Sequence, residues 1–351
     1  MASEGDLNDV ARISLNQTGD LMVSTLPNGF AVMDSFPRKL RFHRQGVGHL
    51  KAVKLKGTSN LVAFVKRDEP RSVVLFDQRR GRAIGELTTS DTDDVDAFEW
   101  GDRIIATISR AGAVAVYDLS DLRLEHTFAS AHAHADEVLA VNTSTVAYPD
   151  AVIGSIRIYD SATATTKTIR AHEHAIACSC LSPDGQKIAT ASTKGEYRPR
   201  LVRPPARISH SRPAPRASRL ALLSPGTVIR IHTVPAGDRE RAVELRRSSS
   251  PARVHAIAMS HDSPPSLLAL SSDSGTLHVF EIDNKQSPRL GMGLRSKWRV
   301  VLPSTEPSLV AFHAGTSRPL VTVASRRGEW HVAYVVEDDG EMRPVDDFRR
   351  S

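Results

Sequence analysis

A strand-like hexapeptide recurs along the chain, and its spacing restricts the possible folds more than any other feature. Its apolar positions alternate, and it ends on or near an acidic residue. It reads "GFAVMD" to Asp34, "SVVLFD" to Asp77, "AVAVYD" to Asp118, "SIRIYD" to Asp160, "TVIRIH" to His232, "TLHVFE" to Glu281 and, degenerate, "EWHVAY" to Tyr334. The intervals are 43, 41, 42, 72, 49 and 53 residues, and the fourth becomes 41 once residues 196–226 are set aside. Alternation with period two is the mark of a strand. Units of about 40 to 50 residues, each with several short strands, are the grammar of a β-propeller. "LSPDGQKIATAS" (181–192) shows the local form, a Pro-Asp-Gly turn between two strand patterns. No stretch sustains the helical period that a solenoid needs. The expected fold is all-β: one seven-bladed, WD-repeat-like β-propeller spanning 1–351.

Composition agrees. The 351 residues are 40% apolar and 25% charged, which is globular. No apolar run reaches the ~18 residues of a membrane span, and "MASEGDLNDV" lacks the basic and apolar regions of a secretion signal. Cys178 and Cys180 are too few for a disulfide framework, so a reducing, cytoplasmic setting is expected. The net charge of +6 belongs to one place: residues 196–226 hold seven Arg and one Glu, leaving 39 basic and 39 acidic residues elsewhere. With six prolines and no strand alternation, that segment should be disordered or extended.

The stretch "VELRRSSSP" (243–251) places Arg246 beside Arg247. On an extended chain, neighbours point to opposite sides, so the two guanidinium groups must serve two different places. The pair follows "ATAS", "KG" and "TVIRIH" and precedes "SSDSGTLHVF". That ordered combination, with "PNGFAVMD" (27–34), "RAIGEL" (82–87) and "LSDLRLEHTF" (119–128), resembles the PROPPIN family, the phosphoinositide-binding propellers that include the WIPI proteins of autophagy. The resemblance spans most of the chain. It implies two headgroup sites on the rim, in blades five and six, each fed by one arginine. Arginine suits the task because its planar fork binds phosphate oxygens bidentately and keeps its charge.

Carried over by position, the resemblance assigns His172, Ser192, Lys194, Thr227, Arg230 and Arg246 to the blade-five site. It assigns Arg247, His255, Ser271, Ser272, Thr276 and His278 to the blade-six site. It also implies a membrane-contacting loop in blade six, at 284–298, with Leu290, Met292 and Leu294 as apolar tips among basic residues. The function implied is that of an effector of phosphatidylinositol 3-phosphate and/or 3,5-bisphosphate, bringing autophagy or trafficking proteins to membranes. The implied location is cytoplasmic, peripheral on autophagic precursor, endosomal or vacuolar membranes, with the protein monomeric. The alternative is a scaffold that binds only proteins.

Two departures bear on that choice. Ser248 stands where the family motif has glycine. Residues 196–226 split "ASTKG" from "TVIRIH", which a tight turn joins in the family. The segment reads either as a basic loop that tethers the rim to anionic lipid or as a retained intron. Gly-Glu-Tyr can encode a splice donor and Ser-Pro-Gly an acceptor that rejoin Gly195 to Thr227 in frame. Three look-alikes, "QRRG" (78–81), "SRRG" (325–328) and "FRRS" at the end, precede no "SSD-GT-H-F" unit and read as turn arginines. No glycine-rich phosphate loop, nucleophile elbow or paired carboxylates point to an enzyme, and no cofactor is expected. "AHAHADE" (131–137) reads as a solvent-facing connection rather than a metal site. With 5% aromatic residues and a neutral body, nucleic acid is not an expected partner.

Overall fold

In three of the blades the turn that follows the repeated strand explains the acid at its end. Asp77 Oδ1 accepts the backbone N–H groups of Arg79 (2.9 Å) and Arg80 (3.1 Å). Asp118 does the same for Ser120 (2.6 Å), and Asp160 for Ala162 (3.1 Å). Each carboxylate thereby satisfies amides that the turn would otherwise leave open. In a computed structural model, which describes residues 12–89, 93–129, 138–193, 227–234, 242–248, 250–282, 294–337 and 341–349, the repeated hexapeptide is the third strand of every blade.

Seven antiparallel sheets of consecutive strands form the ring. They run from Ile13–Leu15 through Arg38–Gln45 in blade one to Ser308–Phe312 through Met342–Arg349 in blade seven. Strands with both faces buried read as near-continuous apolar runs. In "LLALSS" of blade six, Leu268 and Leu270 join the cluster shared with blade five, while Ala269 joins the cluster shared with blade seven. A separate apolar cluster lies at each of the seven inter-blade boundaries.

The seam between blades one and seven holds the smallest of them, built on Ile13, Met22, Met33 and Ala324. Polar contacts supplement it. His313 Nε2 meets Thr322 Oγ1 at 2.7 Å and Ser35 Oγ at 3.3 Å, and Ile13 N–H donates to Arg326 O at 2.9 Å.

Blade five departs from the four-stranded plan. Its outer strand, Val243–Arg246, is flanked in parallel by Leu294–Arg295, with Leu245 opposite Leu294 and Arg246 opposite Arg295. The chain therefore returns from blade six across the edge of blade five before starting that blade's outer strand at Trp298. This shortens the loop expected at 284–298. Leu294 lies half-buried against the cluster between blades five and six, not at a tip. Trp298 is buried between blades six and seven. Leu290, Met292, Lys194, the 131–137 stretch and the 196–226 segment fall outside the described residues.

Candidate functional site: two crevices beside blade five

Alternation along the outer strand of blade five decides where each arginine goes. Leu245 is fully buried against blade six, so Glu244 and Arg246 face the opposite way, toward blade four. Arg247, one residue beyond the strand, is turned to blade six and reaches its hydroxyls. The two guanidinium groups serve different crevices.

The crevice toward blade four is assembled across the ladder. Arg230 stands opposite Thr190 on one side and Glu244 on the other, and Val228 stands opposite Arg246. His172 enters from the connection between blades four and five, its Nε2 3.0 Å from Thr190 Oγ1. The backbone turn that delivers it is tight. Gly154, at φ 80°, approaches so closely that a Cβ there would lie 2.0 Å from the His172 carbonyl oxygen, which only glycine permits. Arg230 donates to Ala171 O at 2.6 Å and is paired with Glu244 at 2.9 Å. Burial, then the neighbouring Arg230 charge, pulls the His172 imidazole down to about 4. It is neutral near pH 7 and acts as a hydrogen-bonding group, while the arginines carry the charge. Ser192 lies on the same face, two residues beyond Thr190.

The crevice toward blade six contains a continuous polar relay. Arg247 Nη1 donates to Ser274 Oγ (2.6 Å) and Ser272 Oγ (3.3 Å), and its Nη2 donates to Ser250 O (3.0 Å). Ser274 is 2.7 Å from Thr276, Thr276 is 3.1 Å from His278 Nε2, and His278 Nδ1 is 2.9 Å from Ser296. Burial, then Arg247 and Arg299, holds His278 down at about 4. Arg299 stands opposite His278 on the neighbouring strand. Burial also lowers the pKa of Arg247, with Asp273 opposing it, yet a guanidinium keeps its charge in proteins. Its buried Nε has no hydrogen-bond partner.

The structure thus brings together His172, Ser192, Arg230 and Arg246 in one crevice, and Arg247, Ser272, Thr276 and His278 in the other. Two assigned residues lie on other faces. Thr227 is buried and turned toward the connection to blade six, its Oγ1 donating to Ala252 O at 2.7 Å. Ser271 shares its face with Ala269 and Leu277, on the blade-seven side, because it is one residue from Ser272. His255 is buried at the bulge where pairing shifts from Val254–Ser272 to Ala256–Ser271. Sequence reading overlooked Ser274, Ser296, Arg299 and Glu244. Glu244 was legible in "VELRR": two residues before Arg246, it must share that arginine's face. Among the described residues no cluster of three or more His, Cys, Asp or Glu side chains could hold a metal.

Solved structures share this architecture. Hsv2 of Kluyveromyces marxianus superposes with a TM-score of 0.75 at 18% identity, covering 98% of this chain and 99% of that one. KlAtg21, solved in complex with the coiled-coil of AgAtg16, gives 0.73 at 18%, covering 98% and 100%. No family model matches the chain. Curated sequences do. Autophagy-related protein 18 of Schizosaccharomyces pombe is 26% identical over 321 residues, covering 84% of this chain and 74% of that protein. Autophagy-related protein 21 of the same yeast is 28% identical over 300 residues, covering 83% and 78%. The chain resembles the PROPPIN propellers in both sequence and fold. In this chain the ordered signature around the arginine pair falls on the two crevices that flank blade five, and Ser248 stands at their shared edge. Ser248 Oγ donates to Ser250 O (3.1 Å) and accepts from Ser250 N–H (3.1 Å), folding the turn around Arg247.

Proposed function

We propose that this chain is a phosphoinositide effector. It binds the headgroup of phosphatidylinositol 3-phosphate and/or 3,5-bisphosphate in each of two rim crevices and brings autophagy or trafficking proteins to the membrane. One observation carries the reading: adjacent arginines enter separate crevices, and each crevice joins the cation to hydroxyls and a neutral imidazole. Such sets suit a phosphorylated polyol, with the arginine taking the phosphate and the uncharged groups orienting the ring. Each site alone should be weak; two on one bilayer gain avidity from effective concentration. The segment 284–293, with Leu290 and Met292, would add apolar contact, and the protein would sit peripherally on autophagic precursor, endosomal or vacuolar membranes. A protein partner fits the reading, since a relative was solved with a coiled coil of another protein.

Flotation on vesicles with and without each lipid tests this. Arg246→Ala or Arg247→Ala should weaken binding severalfold, and the double variant should nearly abolish it. Unchanged flotation of a folded double variant would refute the proposal and favour the protein-only scaffold. That second reading has its own support in Glu244, which already neutralises Arg230.

A further inference from the structure

Arg247 is followed by a serine–proline pair, Ser250–Pro251, both exposed, while Arg247 itself is 6% exposed. The carbonyl of Ser250 accepts from Arg247 Nη2 at 3.0 Å, so the backbone already holds this serine against the guanidinium. Arg247 Nε, buried and without a hydrogen-bond partner, is one donor available to an anion there. A serine followed by proline, on the surface and in a turn rather than in a ladder, is what a proline-directed protein kinase requires.

We propose that Ser250 is a phosphorylation site and that its phosphate turns inward to occupy Arg247, closing the blade-six crevice to other phosphates. Transfer of the γ-phosphoryl group of ATP forms the Oγ–P bond, breaks the β–γ bridging bond, releases ADP and passes the hydroxyl proton to the kinase base. The product carries a charge of about −1.5 to −2 near pH 7, with acceptor oxygens that Arg pairs with strongly. An intramolecular phosphate on the same residue whose carbonyl Arg247 already binds competes at high effective concentration. The Arg246 crevice faces blade four, across the strand, and is left open. The lipid consequence rests on the function proposed above; the phosphate–Arg247 contact does not.

The test uses the full chain treated with a proline-directed kinase and MgATP, with Ser250→Ala as the control and the site read by mass spectrometry. ³¹P resonances then give the second pKa of the phosphoserine. It should fall below the ordinary value of about 6 in the native chain and return to it in Arg247→Ala. Flotation on vesicles carrying phosphatidylinositol 3-phosphate should drop at least about fivefold on phosphorylation in the Arg246→Ala background, where only Arg247 serves lipid. In the Arg247→Ala background phosphorylation should change it little. Failure of Ser250 to accept phosphate in the folded chain, or a phosphoserine pKa equal to that of the urea-denatured protein, overturns the inference. If the unmodified chain fails to float, the lipid reading falls, and the ³¹P titration still decides whether the phosphate occupies Arg247.

Discussion

Acidification to pH 5.5 should remove a large part of the propeller's stability, and three buried histidines set most of the amount, with His232 and His261 shifted in the same direction by burial. His172, His278 and His313 are 5%, 2% and 8% exposed. Burial is the main reason each imidazole is pulled from 6.5 down to about 4, with Asp20 partly opposing the drop at His313. Above pH 6.5 the rings are neutral in both folded and unfolded chains, and the contribution is intact. Between 6.5 and 4 the unfolded chain binds more protons, so stability falls as pH falls. At about 1.4 kcal/mol per pKa unit, each histidine costs about 1.4 kcal/mol between pH 7.5 and 5.5, and the three together about 4. A domain has about 5–15 kcal/mol in total. Carboxylates such as Asp184, held below their usual range chiefly by hydrogen bonds that outweigh desolvation, titrate under this window. Urea unfolding followed by tryptophan fluorescence at pH 7.5, 6.5 and 5.5 reads the slope directly. His313→Gln, whose amide can still reach Thr322, should reduce the loss between pH 7.5 and 5.5 by about 1.4 kcal/mol. A urea midpoint that stays constant from pH 7.5 to 5.5 would refute the reasoning.

Glu244→Gln should strengthen binding to vesicles carrying phosphatidylinositol 3-phosphate severalfold, because it frees Arg230 from a carboxylate 2.9 Å away. The gain should shrink as salt rises, and weaker binding in low-salt flotation would count against the crevice toward blade four. Deleting 196–226 should preserve the fold. Pairing of Ala191 with Ile229 already brings the two flanks together, and shortening the connection from 35 to 4 residues relieves about 2 kcal/mol of loop-closure entropy by chain length alone. A lower urea midpoint in the deletion would show that the segment supports the blade. Sequencing the mature messenger across codons 195 to 227 tests the intron reading separately; Gly195 joined to Thr227 is the expected dominant species.

Strand periodicity was open to reading because it is local. The repeated hexapeptide is the third strand of every blade, and the parity of Arg246 and Arg247 followed from backbone geometry alone. The same parity, applied consistently, would have placed Glu244 with Arg246 and parted Ser271 from Ser272. Ser271 and Ser272 follow instead from position in a family motif, which carries no face information, and the motif does not include Glu244.

What the chain could not reveal is what meets across the crevices. Arg247 touches Ser274, His278 reaches Ser296, and Leu294 adds a strand to a blade it does not follow in sequence. These neighbours are set by how sheets twist and close into a ring, which depends on packing between segments tens of residues apart. The sequence by itself determined seven blades, their strands and the divergence of two arginines, because dihedral preference and period-two alternation act between adjacent residues. Only the tertiary structure decided that the His172 and His278 imidazoles are neutral near pH 7 and that Glu244 holds Arg230, because burial and charge proximity exist only once the blades are assembled.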